Sequence, residues 1–154
     1  MHVIVATDGS RASLIAARQC KWITDSREIT DVTVVAVVSP YAAVPFANEL
    51  GSTGPKEPTD LSFAAEAQYA VNLVAAEFDG WGPSIHMQVR SGSPAQEIVR
   101  LAEDVDADLI SLASGSRGLT PTILLGSTAS RVQHSAPCPV LVCRPTPKSV
   151  RATS

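Results

Sequence analysis

The stretch His2-Val3-Ile4-Val5-Ala6-Thr7-Asp8-Gly9-Ser10 decides how the rest of the chain is read. Val3 to Ala6 is a continuous apolar run, the pattern of a buried strand rather than one with a wet face. Asp8-Gly9 ends it with a turn pair. Ser10 then stands where a helix N-cap belongs. Ala12, Ala16, Cys20 and Ile23 follow at helical spacing, which predicts a helix to about Thr24 with those residues on its buried face. A buried strand leading straight into a helix is the opening of an α/β domain.

The same unit recurs down the chain. Val32 to Val38 is β-branched and almost continuously apolar, as in a strand covered on both faces. Residues 39–58 hold Pro40, Pro45, Gly51, Gly54 and Pro55 and read as a long loop, either a lid or partner-specific segment or a plain surface connection. Thr59 or Asp60 caps an Ala-rich helix running to about Phe78, and residues 79–83 form a turn. Ile85, Met87 and Val89 alternate with polar residues in a third strand. Ser93 is the next N-cap, Pro94 the first helical residue, and Gln96 has capping-box spacing. Leu109 to Ala113 is strand four, Gly126-Ser127-Thr128 opens helix four, and Pro139 to Cys143 is strand five. Five strands separated by four helices imply a parallel sheet with helices on both faces and right-handed crossovers. The domain is expected over residues 1–145, with a disordered tail over 146–154.

At 154 residues the chain is long enough for one core, and 45% apolar with 18% charged residues is ordinary for a compact soluble domain. A net charge of −3 and only seven aromatic residues argue against a nucleic-acid binder, which needs a basic face or stacking platforms. No apolar run approaches membrane-spanning length, and the start has no basic region ahead of its apolar residues, so a cytoplasmic protein without a signal peptide is expected. Cys20, Cys138 and Cys143 lack metal-ligand spacing and read as reduced, partly buried thiols.

In open parallel sheets ligands bind beyond the carboxyl ends of the strands, where the strand order reverses. That selects Thr7-Asp8-Gly9, Val38-Ser39 and the 113–128 stretch. The last of these places Ser114, Gly115, Ser116, Arg117 and Gly118 after a strand and finishes on Gly126-Ser127-Thr128 at a helix start. Amides at a helix N-terminus attract anions, small residues admit a phosphate, and the Ser127 and Thr128 hydroxyls and Arg117 add donors and charge. An ordinary loop followed by a capped helix gives the same spacing.

Four segments together resemble the universal stress protein family over roughly 145 residues: Val3 to Ser10, Gly92-Ser93-Pro94-Ala95-Gln96-Glu97-Ile98, Ala107-Asp108-Leu109-Ile110, and Leu124-Leu125-Gly126-Ser127 with Ala136 to Val142. The resemblance implies a three-layer α/β/α sandwich with a five-stranded parallel sheet in the order 3-2-1-4-5. This is a Rossmann-like plan, shared with the adenine nucleotide α-hydrolases. It also implies a stress-response signalling module that binds ATP or AMP with Mg²⁺. Ala6 and Thr7 match positions lining the adenosine pocket, Val37 the position whose backbone pairs with adenine edges, and Asp8 the aspartate facing ribose and phosphate. Asp8 alternatively serves as a turn residue. ATP-binding members carry Gly-x2-Gly-x9-Gly-Ser/Thr. Aligned on Gly126-Ser127, Ala113 and Ser116 stand at the first two glycines, while a register shifted to Gly115 and Gly118 leaves seven residues rather than nine before Gly126. A subgroup of the family lacks the motif and does not bind ATP. The family's last strand pairs with its copy in a second subunit, which implies a homodimer through residues 139–143. A further protein partner would be reached through the surface.

No catalytic set stands out. His2, His86 and His134 are far apart in sequence and read as structural or solvent-facing, and Asp104, Asp106 and Asp108 as a solvated turn. Any ATP hydrolysis would be slow. Two alternatives to a nucleotide switch remain: a dimeric adaptor without nucleotide, and an enzyme on the same plan. An adenylating domain wants a Ser-Gly-Gly-rich loop after strand one, where this chain has one glycine. A flavin domain wants aromatic residues in the loops, for which Tyr41 and Phe46 are the candidates.

Overall fold

Side chains alternate across strand β1 (His2–Thr7), and that alternation divides the core in two. Val3 and Val5 face one helical layer, Ile4 and Ala6 the other. The structure, a computed structural model, describes residues 1–39, 60–115 and 126–144. Most of the 39–58 loop, residues 116–125 and the expected tail lie outside the described residues.

The elements follow as α1 (Arg11–Ile23), β2 (Asp31–Val38), α2 (Asp60–Ala76), β3 (Ser84–Ser91), α3 (Pro94–Asp104), β4 (Leu109–Ala113), α4 (Ser127–Ser135) and β5 (Val140–Cys143). All neighbouring strands are parallel, in the order β3-β2-β1-β4-β5, as expected from the sequence. Helices α1 and α2 cover one face, where Val3, Val5, Val32, Val34, Ala17, Cys20, Val71, Val74 and Phe78 pack. Helices α3 and α4 cover the other, where Ile4, Val35, Val37, Ile98, Leu101, Ile110, Leu112 and Val132 pack. Val32 to Val37 is buried throughout, the reason its sequence shows no polar alternation. No helix among the described residues is long and apolar enough to cross a membrane.

Three details differ from the sequence reading. The inward face of α1 is Ser13, Ala16, Ala17 and Cys20, while Ile23 is exposed. The helix is rotated because the hydroxyl of Ser13 has partners inside: it donates to the Ser10 carbonyl and lies 2.7 Å from the Thr7 hydroxyl. Ser93 is the N-cap of α3 but makes no side-chain cap bond, and Gln96 is exposed, so no capping box forms. Met87 stays exposed beside partly buried Ile85 and Val89, because β3 is an outer strand.

The start of α1 is closed by its own side chains. Ser10 caps it, accepting from the Ser13 N–H at 3.2 Å, and is fully buried. At the opposite, amino edge of the sheet, His2 and His86 come within 6.1 Å centroid to centroid. His2 Nε2 lies 2.7 Å from the Thr33 hydroxyl and His86 Nε2 2.9 Å from Asp31 Oδ1. Asp108 accepts the His2 N–H at 2.7 Å, so the 104–108 turn is tied to β1 rather than merely solvated. Burial holds the His2 imidazole below its ordinary value, with His86 adding to the effect and Asp31 opposing it. The hydrogen bond from His86 holds Asp31 below the usual carboxylate range.

Two outcomes follow for stability. Ser10→Ala is expected to cost about 0.5–2 kcal/mol, the usual loss of an N-cap, read as a lower urea midpoint at unchanged slope. A depressed folded-state value, for an imidazole as for a carboxylate, means that the native chain binds fewer protons than the unfolded one. Stability is therefore full above the unfolded value and lost as pH falls. The first loss begins below 6.5 through His2 and a second below 3.8 through Asp31. His2→Gln should remove the first step from a urea midpoint measured against pH.

Candidate functional site

Strand order reverses between β1 and β4, since β2 and β3 lie to one side of β1 and β4 and β5 to the other. The carboxyl ends of these strands and the starts of α1 and α4 meet at that edge. Thr7 is in register with Ala36, Val5 with Ser111, and Ala113 with Cys143.

The residues singled out from the sequence fall into three groups here. Ala6 and Val37, 8% and 9% exposed, lie together on the α3/α4 side, packed in the same cluster as Leu112 and Ala129. Thr7 faces the other way. Its hydroxyl meets Ser13 and accepts the Gly9 N–H at 3.2 Å. Since the Ser13 hydroxyl donates to the Ser10 carbonyl, Thr7 is the donor to Ser13. Asp8 is exposed, and its Oδ1 accepts both the Ser10 N–H at 3.0 Å and the Ser10 hydroxyl. Asp8 therefore acts as the turn residue of the β1–α1 connection, with Gly9 supplying the positive φ of 80° that the turn requires. The turn into α1 and its Ser13 amide are thus satisfied from within.

The start of α4 differs. Gly126 is its N-cap, and among the described residues no side chain caps the helix. Ser127 is exposed and Thr128 half-exposed. The Gly126 N–H donates to the Ser114 carbonyl, and the Ser114 N–H donates to the Cys143 carbonyl at 2.8 Å. A Cβ at 126 would stand 2.8 Å from the Ser114 oxygen and 3.2 Å from the Gly115 Cα, so close backbone approach requires glycine there. Gly115 passes this same backbone, 3.6 Å away when measured from its own added Cβ. Ala113 ends β4 half-buried. Ser116, Arg117 and Gly118 lie outside the described residues.

This arrangement is suited to hold an anion. Uncapped amides at a helix start carry partial positive charge, and hydroxyls at 127 and 128 stand next to them. Among the described residues it carries no acid–base pair. The His2–His86 pair sits at the amino edge and His134 at the far end of α4. Buried beneath the edge, Ser111 lies 3.8 Å from the Cys143 sulfur, and burial pushes the Cys20 thiol up to about 11. Sequence reading missed Ser13, and it named Ser114 without its backbone role. The Ser10-x-x-Ser13 spacing was a local signal for the first. The backbone role of Ser114 leaves no signal in its side chain.

Comparisons with known proteins bear on the family and the fold. The model of the universal stress protein family matches residues 1–144. Universal stress protein MJ0531 of Methanocaldococcus jannaschii is 36% identical over 143 residues, covering 92% of this chain and 81% of that one. The solved structure of hypothetical protein MJ0577 superposes with a TM-score of 0.73 at 25% identity, over 94% of this chain and 96% of that one. A universal stress protein family structure from Arabidopsis thaliana, with AMP bound, superposes with a TM-score of 0.63 at 16% identity, over 96% and 94%. With its fold, strand order and sequence in accord over almost its whole described length, the chain belongs to the universal stress protein family.

Proposed function

We propose that the chain is a dimeric stress-response signalling module that binds an adenine nucleotide, ATP or AMP, at the carboxyl edge of β1, β2 and β4. The observation that carries this reading is the uncapped start of α4, which opens beside the point where strand order reverses. Support also comes from the AMP held by the plant protein of the same fold. The first-turn amides of α4 and the hydroxyls of Ser127 and Thr128 take the phosphates. Ala6 and Val37 form the apolar wall beneath the base, and Asp8 flanks the ribose with the carboxylate oxygen not engaged at the turn. No cluster of three ligating side chains occurs among the described residues. Mg²⁺ therefore enters with the phosphates, near Asp8, and neutralises their charge. Three free thiols suit a reducing cytoplasm.

A second reading, the dimeric adaptor without nucleotide, rests on two features of the same edge. Ala113 occupies a position that is glycine in ATP-binding members, and the Gly126 amide already has a partner in Ser114. Titration calorimetry of nucleotide-stripped protein with ATP, ADP and AMP in Mg²⁺ separates the two. Micromolar affinity is expected, with Gly126→Val abolishing it while helical content is retained. No heat at millimolar nucleotide establishes the adaptor instead.

The dimer follows from β5, an outer strand whose Val140, Leu141 and Val142 are only partly buried. A bare apolar edge invites pairing, and a two-fold contact closes it. Sedimentation should show a dimer for the native chain and a monomer for Leu141→Asp. A native monomer, or a dimer unchanged in that variant, would exclude β5 as the interface.

A further inference from the structure

Both backbone groups of Ser114 are engaged, in different directions. Its N–H closes the β4–β5 ladder on the Cys143 carbonyl at 2.8 Å, one position beyond the Ala113–Cys143 pair. Its C=O receives the N–H of Gly126, the residue that begins α4. The rest of β5 is laddered to β4, with Cys143 buried and Val140, Leu141 and Val142 packed against the core. The strand has four residues, and the next carbonyl, that of Arg144, accepts Gln19 Nε2 at 2.9 Å from α1. At its other end β5 is anchored separately, through the Ile110 N–H on the Pro139 carbonyl at 3.0 Å.

An amide hydrogen serves one strong acceptor at a time. The Gly126 N–H points from the helix start, so an anion on the first turn of α4 competes with the Ser114 oxygen for it. We propose that Ser114 is a backbone joint, and that the acceptor chosen by the Gly126 amide sets how firmly the carboxyl end of β5 is held to the sheet. With Gly126 in place, both peptide planes of Ser114 are fixed. Once Gly126 leaves, the second plane turns freely and the terminal Ser114–Cys143 bond frays, as ladder ends do without a neighbour. Occupancy at α4 is thereby transmitted to the edge strand. The ligand arm of this inference rests on the anion-binding reading above, but the joint belongs to the chain alone.

Amide hydrogen exchange on the full-length ¹⁵N-labelled chain tests it. In the native protein the Ser114 and Gly126 amides should share one opening equilibrium, with protection factors within about twofold of each other, because a single opening event releases both. Gly126→Ala, which forces a Cβ against the Ser114 oxygen, should speed Ser114 exchange about tenfold, on the scale of one lost hydrogen bond. The Ile110 amide and the β1–β2 ladder should be unchanged. Separate opening equilibria in the native chain, or Ser114 protection unchanged in the variant while the amide at 126 is deprotected, overturn the joint. If the variant does not fold, the native comparison decides. Addition of Mg-ATP then separates the two claims. Faster Ser114 exchange supports both, whereas no change with the variant effect intact leaves the joint standing and removes the nucleotide.

Discussion

The middle of strand β1, Val3 to Val5, has no route to water on either face or either edge. Val3, Ile4 and Val5 are 1%, 0% and 0% exposed, and the backbone is laddered to β2 on one side and β4 on the other. Burying such a strand requires an apolar helical layer on each face, which α1 with α2 and α3 with α4 provide. It also requires that the chain leave β1 toward one edge and return on the opposite side for β4. Of the helix starts at the carboxyl edge, those of α1 and α4 are then left beside the point where strand order reverses, where their amides need partners. The location of the candidate site follows from that single constraint.

The two starts are treated differently, and this asymmetry supports the functional reading. At α1, Thr7, Asp8, Ser10 and Ser13 form a relay of short-range hydrogen bonds that satisfies the turn and caps the Ser13 amide. At α4 the N-cap is a glycine without a side chain to offer; its carbonyl accepts the Ser130 N–H at 2.9 Å, and its amide goes to the Ser114 carbonyl. A helix start that caps itself has no need of a ligand. One whose N-cap amide rests on a backbone carbonyl can exchange that acceptor for an anion.

Features that depend on sequence-local physics were readable in advance. The continuous apolar run of β2, the Ser10 and Ser93 cap positions, and Pro94 at the first helical turn all specify backbone conformation over a few residues. The strand order came with the family resemblance. What could not be read depends on partners distant in sequence. The rotation of α1 that exposes Ile23 is set by the bond of Ser13 to Thr7 across the turn. The capping box at Ser93 fails although its spacing is right. The meeting of His2 with His86 needs the β1–β2–β3 register, and the Ser114–Gly126 closure joins two backbones whose side chains carry no mark of it. Of the site, the sequence indicated the edge and the glycine. It did not distinguish the self-satisfied start of α1 from the open start of α4.

The claim that the α4 start is a nucleotide phosphate site is tested most directly by amide chemical-shift mapping with AMP. The account predicts saturable shifts at Ser114, Gly115, Gly126, Ser127 and Thr128, with smaller ones at Ala6, Asp8 and Val37, and none at His2 or His86. A spectrum in which the amides at 126–128 stay fixed while AMP is raised to millimolar concentration, or in which the shifts gather at the amino edge, would contradict it.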